Sequence, residues 1–263
     1  MKRTHLSLAM GLTFGLFCVA PLSAQQQAAG ETDTGATKPA NAKQLGQVTV
    51  TARKREETLQ DVPIAVSAFT AASLFKQNVQ NLADLQGKVP SLQIYAARGP
   101  NTTLTAYIRG VGQADPTWGF DPGVGIYLDD VYLARPQGAV LDVFDVNRIE
   151  VLRGPQGTLF GKNTIGGAIK YVSNPLPMKS EGSVDVTVGT HGEKDVKASL
   201  GGASADQVWR ARAAVASEHN DGFGKNQLTG SRNGNKNTNA ARATLGFFPT
   251  SSFNAQLSVD GVR

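Results

Sequence analysis

A strict alternation of apolar and polar side chains runs through four segments in the last third of the chain. In the last of them Phe253, Leu257 and Val259 fall on one side of the alternation, and Asn254 and Gln256 fall on the other. Segments of about ten residues with this period are typical of transmembrane β-barrel strands. A soluble β-sandwich also alternates, but the strand length favours a barrel. The segments are 183–188, 208–215, 242–247 and 253–260.

The connections between these strands differ in length. The polar stretch 218–239 is much longer than 189–193, 201–207 or 249–252. Outer-membrane barrels have short periplasmic turns and longer external loops. If the first strand starts on the periplasmic side, the long stretch lies outside the cell. Residues 178–263 therefore predict about five strands at the start of a transmembrane barrel.

The preceding residues, 58–177, show the mixed pattern of an α/β domain. One predicted helix spans 70–79, with Thr70 or Ser73 as its N-cap, and Asn81 caps a second one. Strands are also expected, because β-branched and aromatic residues recur between clusters of Gly, Pro and Asn. The predicted strands are 62–69, 91–96, 104–109, 125–128, 131–134, 148–152 and 168–172.

The N-terminus has the pattern of a secretory signal peptide at residues 1–24. Lys2 and Arg3 precede an apolar run at 6–20, and small residues follow at a cleavage site. The apolar run is too short for a transmembrane helix. Residues 25–46 contain a single large apolar residue and predict a disordered linker.

A short β-branched run, Gln47–Thr51, stands between this linker and the charged stretch 53–57. An isolated β-favouring segment has no sheet of its own. One interpretation is a strand donated to the sheet edge of a partner, where main-chain hydrogen bonds give affinity. The other is an edge strand of the following domain. The pattern alone leaves both open.

Charge and composition argue against several classes of function. The 263 residues carry 26 Lys and Arg against 21 Asp and Glu, a net charge of +5. Cleavage of the signal peptide removes two basic residues and leaves 24 against 21, or +3, with no basic run, so no nucleic-acid partner is expected. One Cys and three scattered His argue against a disulfide framework and a metal site. No catalytic constellation occurs, so we expect neither an enzyme nor a cofactor.

Two further motifs have structural interpretations. Asp129 and Asp130 are neighbours between two strands, which suits a hairpin turn better than paired acid–base catalysis. The Gly-rich stretch after Arg148 resembles a phosphate-binding loop, but it has one residue too few before Gly161, and Asn163 stands where Ser or Thr would reach Mg²⁺. A strand, a tight turn, a short helix and glycines before a last strand explain this stretch better.

Several blocks, in order across residues 47–177, resemble TonB-dependent outer-membrane receptors. They are QVTVTA, LQDVPIAVSAF, the VPSLQIY and YIRGVG strands, GVGIYLDDVYLARP and RIEVLRGPQGTLFGKNTIGGAIKYVSNP. The last block is similar to the signature of the plug domain in this family. Its signature positions are Arg148, Glu150, Arg153, Gly154, Pro155, Gly161, Gly166 and Gly167.

The resemblance implies an α/β plug domain followed by an antiparallel transmembrane β-barrel, which has 22 strands in the intact family. It also implies a TonB box at Gln47, Val48, Thr49, Val50 and Thr51, which pairs as a strand with TonB. The partners would be TonB, outer-membrane lipid and an extracellular small molecule, with an iron chelate as the expected class. Ligand contacts are expected at loop apices of the plug, namely Tyr95, Arg98, Gln113, Asp115, Trp118 and Arg135.

Two other functions remain open on sequence grounds. A passive, plugged porin-like barrel would need no TonB box, and an exported binding module would need residues 182–262 to form a soluble sheet. Length raises a separate point, because about five strands cannot surround a plug of this size. We therefore expect a partial receptor that holds the plug and the first barrel strands.

Overall fold

The computed structural model describes Thr4–His5 and residues 48–97, 102–114, 119–135 and 137–263. The predicted linker 25–46, Gln47 and most of the predicted signal peptide lie outside these residues. In chain order the strands are β1 Thr4–His5, β2 Thr49–Val50, β3 Glu57–Thr58, β4 Val66–Thr70, β5 Leu92–Ala96, β6 Leu104–Ile108, β7 Val111–Gly112, β8 Val124–Leu128, β9 Val131–Tyr132, β10 Val146–Arg153, β11 Gly167–Ser173, β12 Glu181–Val188, β13 Lys194–Ala203, β14 Trp209–Asn220, β15 Gly224–Lys225, β16 Arg232–Asn233, β17 Lys236–Thr250 and β18 Phe253–Val262. The helices are α1 Ala71–Lys76, a 3₁₀ helix Leu82–Leu85 and α2 Gly157–Phe160. No helix in the described ranges is long and apolar enough to cross a membrane.

A five-stranded mixed sheet forms the centre of the N-terminal domain, in the order β4-β10-β11-β8-β9. Strands β10 and β11 form an antiparallel pair, and β8 runs parallel to β11. A separate three-stranded sheet, β5-β6-β7, packs its apolar side chains into the same core as α1 and the 3₁₀ helix. The predicted α/β plug architecture is confirmed in these elements.

The helices begin where the sequence predicts and end earlier. The Thr70 side chain accepts a hydrogen bond from Ser73 N, so Thr70 is the N-cap of α1, and Asn81 caps the 3₁₀ helix with Asp84 completing a capping box. Helix α1 stops at Lys76, because Asn78 takes a positive φ of 51°. The first predicted strand also begins later, at Val66, since Pro63 has no N–H to donate to a ladder.

The predicted hairpin turn at Asp129–Asp130 is confirmed. Both residues have positive φ, 47° and 67°, as a two-residue type I′ connection between β8 and β9 requires. Their carboxylates serve different neighbours. Asp129 accepts from Ser173 N at 2.7 Å, and Asp130 pairs with Lys170 at 3.0 Å.

The C-terminal strands form one antiparallel sheet in the order β12-β13-β14-β17-β18, with β1 paired to the outer edge of β12. The alternation predicted from sequence is present: Val184, Leu200 and Leu257 are exposed on one face, while Ala214 and Arg242 are buried on the other. This sheet is the start of the predicted barrel and does not close within the described residues. We call it the wall.

The predicted long loop at 218–239 is shorter in the structure. Strand β14 continues to Asn220 and β17 begins at Lys236, and the short β15–β16 hairpin lies between them. Polar residues such as Glu218 suggested a loop, but they lie on the inner face of the wall. There Glu218 is paired with Lys197 and Lys236.

Candidate functional site

The predicted TonB box enters the described residues at Val48 and forms a small hairpin with β3. Thr49 lies opposite Thr58 and Val50 opposite Glu57, and Leu59 N donates to Val48 O at 2.9 Å. In an antiparallel pair the hydrogen-bonding groups of alternate residues face the partner. The main-chain groups of Val48 and Val50 therefore face β3, and those of Thr49 face away from it. The Thr51 carbonyl is used inside the turn, where it accepts from Lys54 N at 2.9 Å. Strand β2 therefore has an outer edge at Thr49 with which no other described strand pairs.

Apolar side chains pack this segment against the plug. Val50 and Ala52 are buried in a cluster with Leu152, Phe160 and Ala168. The segment contacts the plug through side chains rather than through main-chain hydrogen bonds to a strand of the central sheet. The segment is thus docked on the plug without being an edge strand of the central sheet.

Thr51 is held by three charged side chains from β10 and β11. Thr51 N donates to Glu150 Oε1 at 2.7 Å. Lys170 Nζ donates to Thr51 O at 3.0 Å and to Thr51 Oγ1 at 2.8 Å, and Arg148 Nη2 donates to the same Oγ1 at 3.1 Å. Glu150 and Lys170 are almost fully buried, and Arg148 Nε pairs with Glu150 Oε1 at 2.7 Å. Sequence analysis identified Arg148 and Glu150 as signature positions but missed Lys170.

The charged turn that follows is closed by ion pairs. Arg53 and Arg55 both contact the Glu57 carboxylate, with Arg53 Nε donating to Oε2 at 2.7 Å. These hydrogen bonds lower the pKa of Glu57 to about 2. The pairs keep β2 and β3 together on the surface of the plug.

The Glu57 carboxyl should therefore titrate near pH 2 in the folded chain. In the unfolded chain it should titrate near 4.3, so the hairpin stabilisation is complete above that value and is lost as pH falls through the folded pKa. Carbon-detected NMR titration of labelled protein measures this directly. The Arg53→Gln variant should move the Glu57 pKa back towards its ordinary value, and an unchanged pKa would contradict the assigned pairing.

The remaining signature positions build the link from β10 to β11. Arg153 ends β10 and its N–H donates to Ala65 O at 2.9 Å, while Gly154 N donates to Gly166 O at 2.9 Å. Pro155 begins the turn, Gly161 follows α2, and Gly167 opens β11. Helix α2 has only four residues, and the Tyr127 hydroxyl donates to its last carbonyl, that of Phe160, at 2.5 Å. The arrangement is structural, as the sequence predicted.

The described ends of the three loops that carry the predicted ligand contacts lie beside β6. Thr103 bridges to Gln137, and Gln113 shares a small cavity with Leu104 and Leu133. Of the predicted ligand contacts, Tyr95 and Arg135 are exposed and Gln113 is half-buried. Arg98, Asp115 and Trp118 lie outside the described residues.

Sequence analysis missed the contact between the plug and the wall. Four consecutive plug residues, 142–145, each meet a different cation of the wall. Lys236 pairs with Asp142 at 3.0 Å, and Lys197 Nζ donates to Val143 O at 2.7 Å. The Arg242 guanidinium lies over the Phe144 ring at 5.6 Å, and Arg212 Nε pairs with Asp145 at 2.7 Å. Burial raises the pKa of Asp142, and the positive charge of Lys236 offsets part of this rise.

Small wall residues allow this close approach. Phe144 packs against Ala214, Ala216 and Ala240. Beside it the Tyr171 hydroxyl donates to Phe144 O at 2.6 Å, and burial raises the pKa of Tyr171, so it remains a donor. Inward charges in otherwise alternating strands, such as Arg212 and Arg242, were the available sequence signal. In the part of the chain that the structure covers, no group of three or more His, Cys, Asp or Glu could hold a metal ion.

Comparison with known proteins finds similarity to one family of domains over part of the chain. Residues 58–168 match the TonB-dependent Receptor Plug Domain. The chain is similar to the vitamin B12 transporter BtuB of Vibrio vulnificus (strain YJ016), with 23% identity over 184 residues that cover 69% of this chain and 29% of the relative. It is 32% identical to the pesticin receptor of Yersinia pestis over 130 residues, which cover 48% of this chain and 18% of the relative.

Solved structures of receptors align with a large part of this chain and support the same fold. The ferric yersiniabactin uptake receptor FyuA from Yersinia pestis aligns with a TM-score of 0.67 and 25% identity, over 76% of this chain and 32% of that one. The ferripyoverdine receptor of the outer membrane of Pseudomonas aeruginosa aligns with a TM-score of 0.66 and 17% identity, over 82% of this chain and 27% of that one. The chain spans less than a third of the length of the curated relatives that it matches.

Proposed function

We propose that this chain, whose residues 58–168 match the TonB-dependent Receptor Plug Domain, serves energised uptake of a scarce ligand across the outer membrane. TonB would bind the TonB box, Gln47–Thr51, as an added strand and transmit energy from the inner membrane. The chain would act as part of a transport receptor, not as an enzyme.

The outer edge of β2 is the observation that carries this proposal. Thr49 turns its main-chain N–H and C=O away from β3, which is the arrangement that strand addition needs. A passive pore has no use for such an edge on its plug. An exported binding module without a barrel would not need the apolar outer face of the wall either.

That outer face supports a position in the membrane. Val186, Leu200 and Leu257 are exposed on the side of the wall turned away from the plug, with Trp209 near one end of the strands. Apolar residues that alternate outward suit contact with lipid tails, and aromatic residues suit the interface. Together with the predicted signal peptide, this supports the outer membrane as the location and its lipid as a partner.

For the ligand we favour an iron chelate. The similar proteins include receptors whose names specify vitamin B12, hemin, ferric yersiniabactin and ferripyoverdine. Arg98 and Arg135 could pair with an anionic chelate, and Tyr95 and Trp118 could supply apolar contact. Gln113 and Asp115 would add polar contacts from the neighbouring loop.

The Thr49→Pro variant tests the proposal. Proline removes the N–H of Thr49, which points away from β3, so the hairpin ladder is left intact while strand addition loses a donor. Energised cells that make the receptor containing this variant should lose accumulation of radiolabelled ferric chelates. Binding of the same chelates to de-energised cells should be unchanged.

Thr49→Val is the matched control, because it keeps the N–H and the β-branched shape. It should accumulate chelate like the wild type. Full accumulation by Thr49→Pro cells would contradict the TonB-dependent function and favour a passive barrel. Failure of wild-type cells to bind any ferric chelate, with uptake of another ligand class that still needs Thr49, would reject only the ligand.

A further inference from the structure

The outward face of the wall changes from apolar to polar at one row of residues. Lys194 on β13, His219 on β14 and Asn237 on β17 are cross-strand neighbours, and all three are exposed on the side away from the plug. We propose that this row, which we call the outer row, binds a phosphate group of a glycolipid in the outer leaflet, whose acyl chain lies in an apolar groove below. The inference rests on the outer-membrane location given under the proposed function.

The outer row lies at the height where lipid headgroups are expected. On β14, His219 is ten residues beyond Trp209, which packs against Phe247 with ring centres 4.5 Å apart. Ten residues of strand extend about 33 Å, and a strand tilt of about 40° reduces this to a height of about 25 Å. That is the height of the apolar band in outer-membrane barrels, which aromatic residues border. Trp209 therefore marks one membrane interface, and the outer row marks the other.

The connections at the two ends of the strands identify the leaflet. At the Trp209 end, residues 204–208 join β13 to β14, and residues 251–252 join β17 to β18. At the outer row, residues 189–193 join β12 to β13, and the much longer stretch 221–235 joins β14 to β17. Outer-membrane barrels have short periplasmic turns and longer external loops. The outer row therefore faces the outer leaflet, which carries phosphorylated glycolipids in Gram-negative bacteria.

The charges at the outer row favour an anion. Lys194 forms no ion pair with any residue that the structure describes, and Asp221 is shared between His219 Nε2 at 3.7 Å and Arg232 Nη1 at 3.8 Å. Lys194 and His219 are placed opposite each other, so they repel whenever His219 is protonated. A phosphate between them would remove this repulsion and accept charge-assisted hydrogen bonds, with the Asn237 amide as a further donor.

The apolar groove lies below the outer row on the same face of the wall. Its volume is about 490 Å³, and its lining includes Val184, Leu200 and Val215. Val215 and His219 are four residues apart on β14, which is about 13 Å along the strand. A lipid with its phosphate on a sugar and its acyl chains attached to the same sugar can therefore reach both. Phosphate and chain together make the site more selective than a charged surface alone.

Lys194→Gln tests the site, because it removes the charge and keeps most of the side-chain length. Native mass spectrometry of the detergent-solubilised chain, titrated with bisphosphorylated lipid A, would give the Kd. Lys194→Gln should raise this Kd about tenfold, which is the worth of one hydrogen bond to a charged group. Lys194→Arg should bind as the wild type does. Lys225→Gln is the matched control: Lys225 is exposed on β15, outside the outer row, and its loss removes the same charge with little change in Kd.

Other lipids distinguish the source of the phosphate. Dephosphorylated lipid A should bind the wild type and Lys194→Gln equally. Phosphatidylglycerol, whose phosphodiester carries a single charge, should bind the wild type several-fold more weakly than lipid A. The proposal is overturned by phosphatidylglycerol that binds as tightly as lipid A, by an unchanged Kd for Lys194→Gln, or by equal losses in Lys194→Gln and Lys225→Gln.

Ala213→Phe tests the groove separately, because Ala213 lines it and the added ring would fill it. The Kd for lipid A should rise several-fold. Val259→Phe is the control, since Val259 is also exposed on the outward face but lies on β18, outside the groove. Equal Kd values for these two variants would contradict the placement of the acyl chain.

Failure of this inference is distinguishable from failure of the proposed function. If Lys194→Gln binds lipid A as the wild type does, while Thr49→Pro cells lose chelate accumulation, the lipid site is wrong and the proposed function stands. If Thr49→Pro cells accumulate chelate fully while Lys194→Gln loses lipid A, energised uptake is wrong and the lipid site stands.

Discussion

Replacing Gly167 with alanine is expected to destabilise the plug by about 2–6 kcal/mol, which is a large part of the stability of an ordinary domain. Gly167 has a φ of 150°, which L side chains rarely adopt. A Cβ at this position would overlap the carbonyl oxygen of Leu152 and lie 2.8 Å from Ile108 Cδ1. The first obstacle is backbone of the central sheet, so no rotation of a side chain can relieve it.

Gly157→Ala is the matched control, because its Cβ would meet nothing within 4 Å and its position lies at the start of α2. It should be neutral or slightly stabilising. Thermal melting followed by near-ultraviolet circular dichroism in detergent should place the Gly167→Ala midpoint about 5–20 °C below the wild type. Equal midpoints for the two variants would show that the β10–β11 pair can relax around an added methyl group.

Local sequence patterns were sufficient to predict most of the helices and strands of this chain. Period-two alternation located four of the five wall strands, and side-chain capping located the starts of α1 and the 3₁₀ helix, because these signals act between residues close in sequence. Element ends were predicted less well. Helix α1 ends at Lys76, two residues before Asn78 takes a positive φ, and β14 extends into a polar stretch that was predicted to be a loop.

The candidate site could be predicted only in outline. The sequence identified the 47–51 segment and the Arg148 to Gly167 signature as two separate features. Neither pattern predicts that they are in contact. Thr51 and Glu150 are 99 residues apart, and Thr51 and Lys170 are 119 apart. Lys170 belongs to a strand that reads as an apolar run, so a buried lysine there signals an unseen partner without identifying it.

The contact between plug and wall escaped prediction for the same reason. The inner face of a transmembrane barrel is polar, so charged residues there, such as Lys197 and Arg212, do not by themselves indicate a partner. In the structure these cations meet the plug at 142–145, a segment whose own sequence has no distinctive pattern. Pairing across a domain boundary depends on how the two sheets are placed, which periodicity does not record.

Breaking the Arg212–Asp145 pair is expected to have the second large effect. The Arg212 side chain is 9% exposed and that of Asp145 is 3% exposed, with Arg212 Nε 2.7 Å from Asp145 Oδ1. Arg212→Met should cost about 3–5 kcal/mol, because it leaves the Asp145 carboxylate buried with only the Asn174 amide, at 2.9 Å. The double variant Arg212→Met, Asp145→Asn should be more stable than Arg212→Met alone, since it leaves no buried unpaired charge; Glu181, the other carboxylate that Arg212 contacts, is exposed to solvent.

Denaturant unfolding of the chain in detergent measures these differences. Arg210→Met is the matched control, because Arg210 lies on the same face of β14 but stacks on Phe248 of the wall, 4.5 Å from the ring centre, and does not reach Asp145. It should cost about 1 kcal/mol or less. Additive effects at Arg212 and Asp145 would mean that the two ions are solvated independently. If the double variant is instead more stable than Arg212→Met alone, the two ions interact directly. Strand β14 then anchors the plug next to β10, the strand that also carries Glu150, which binds Thr51.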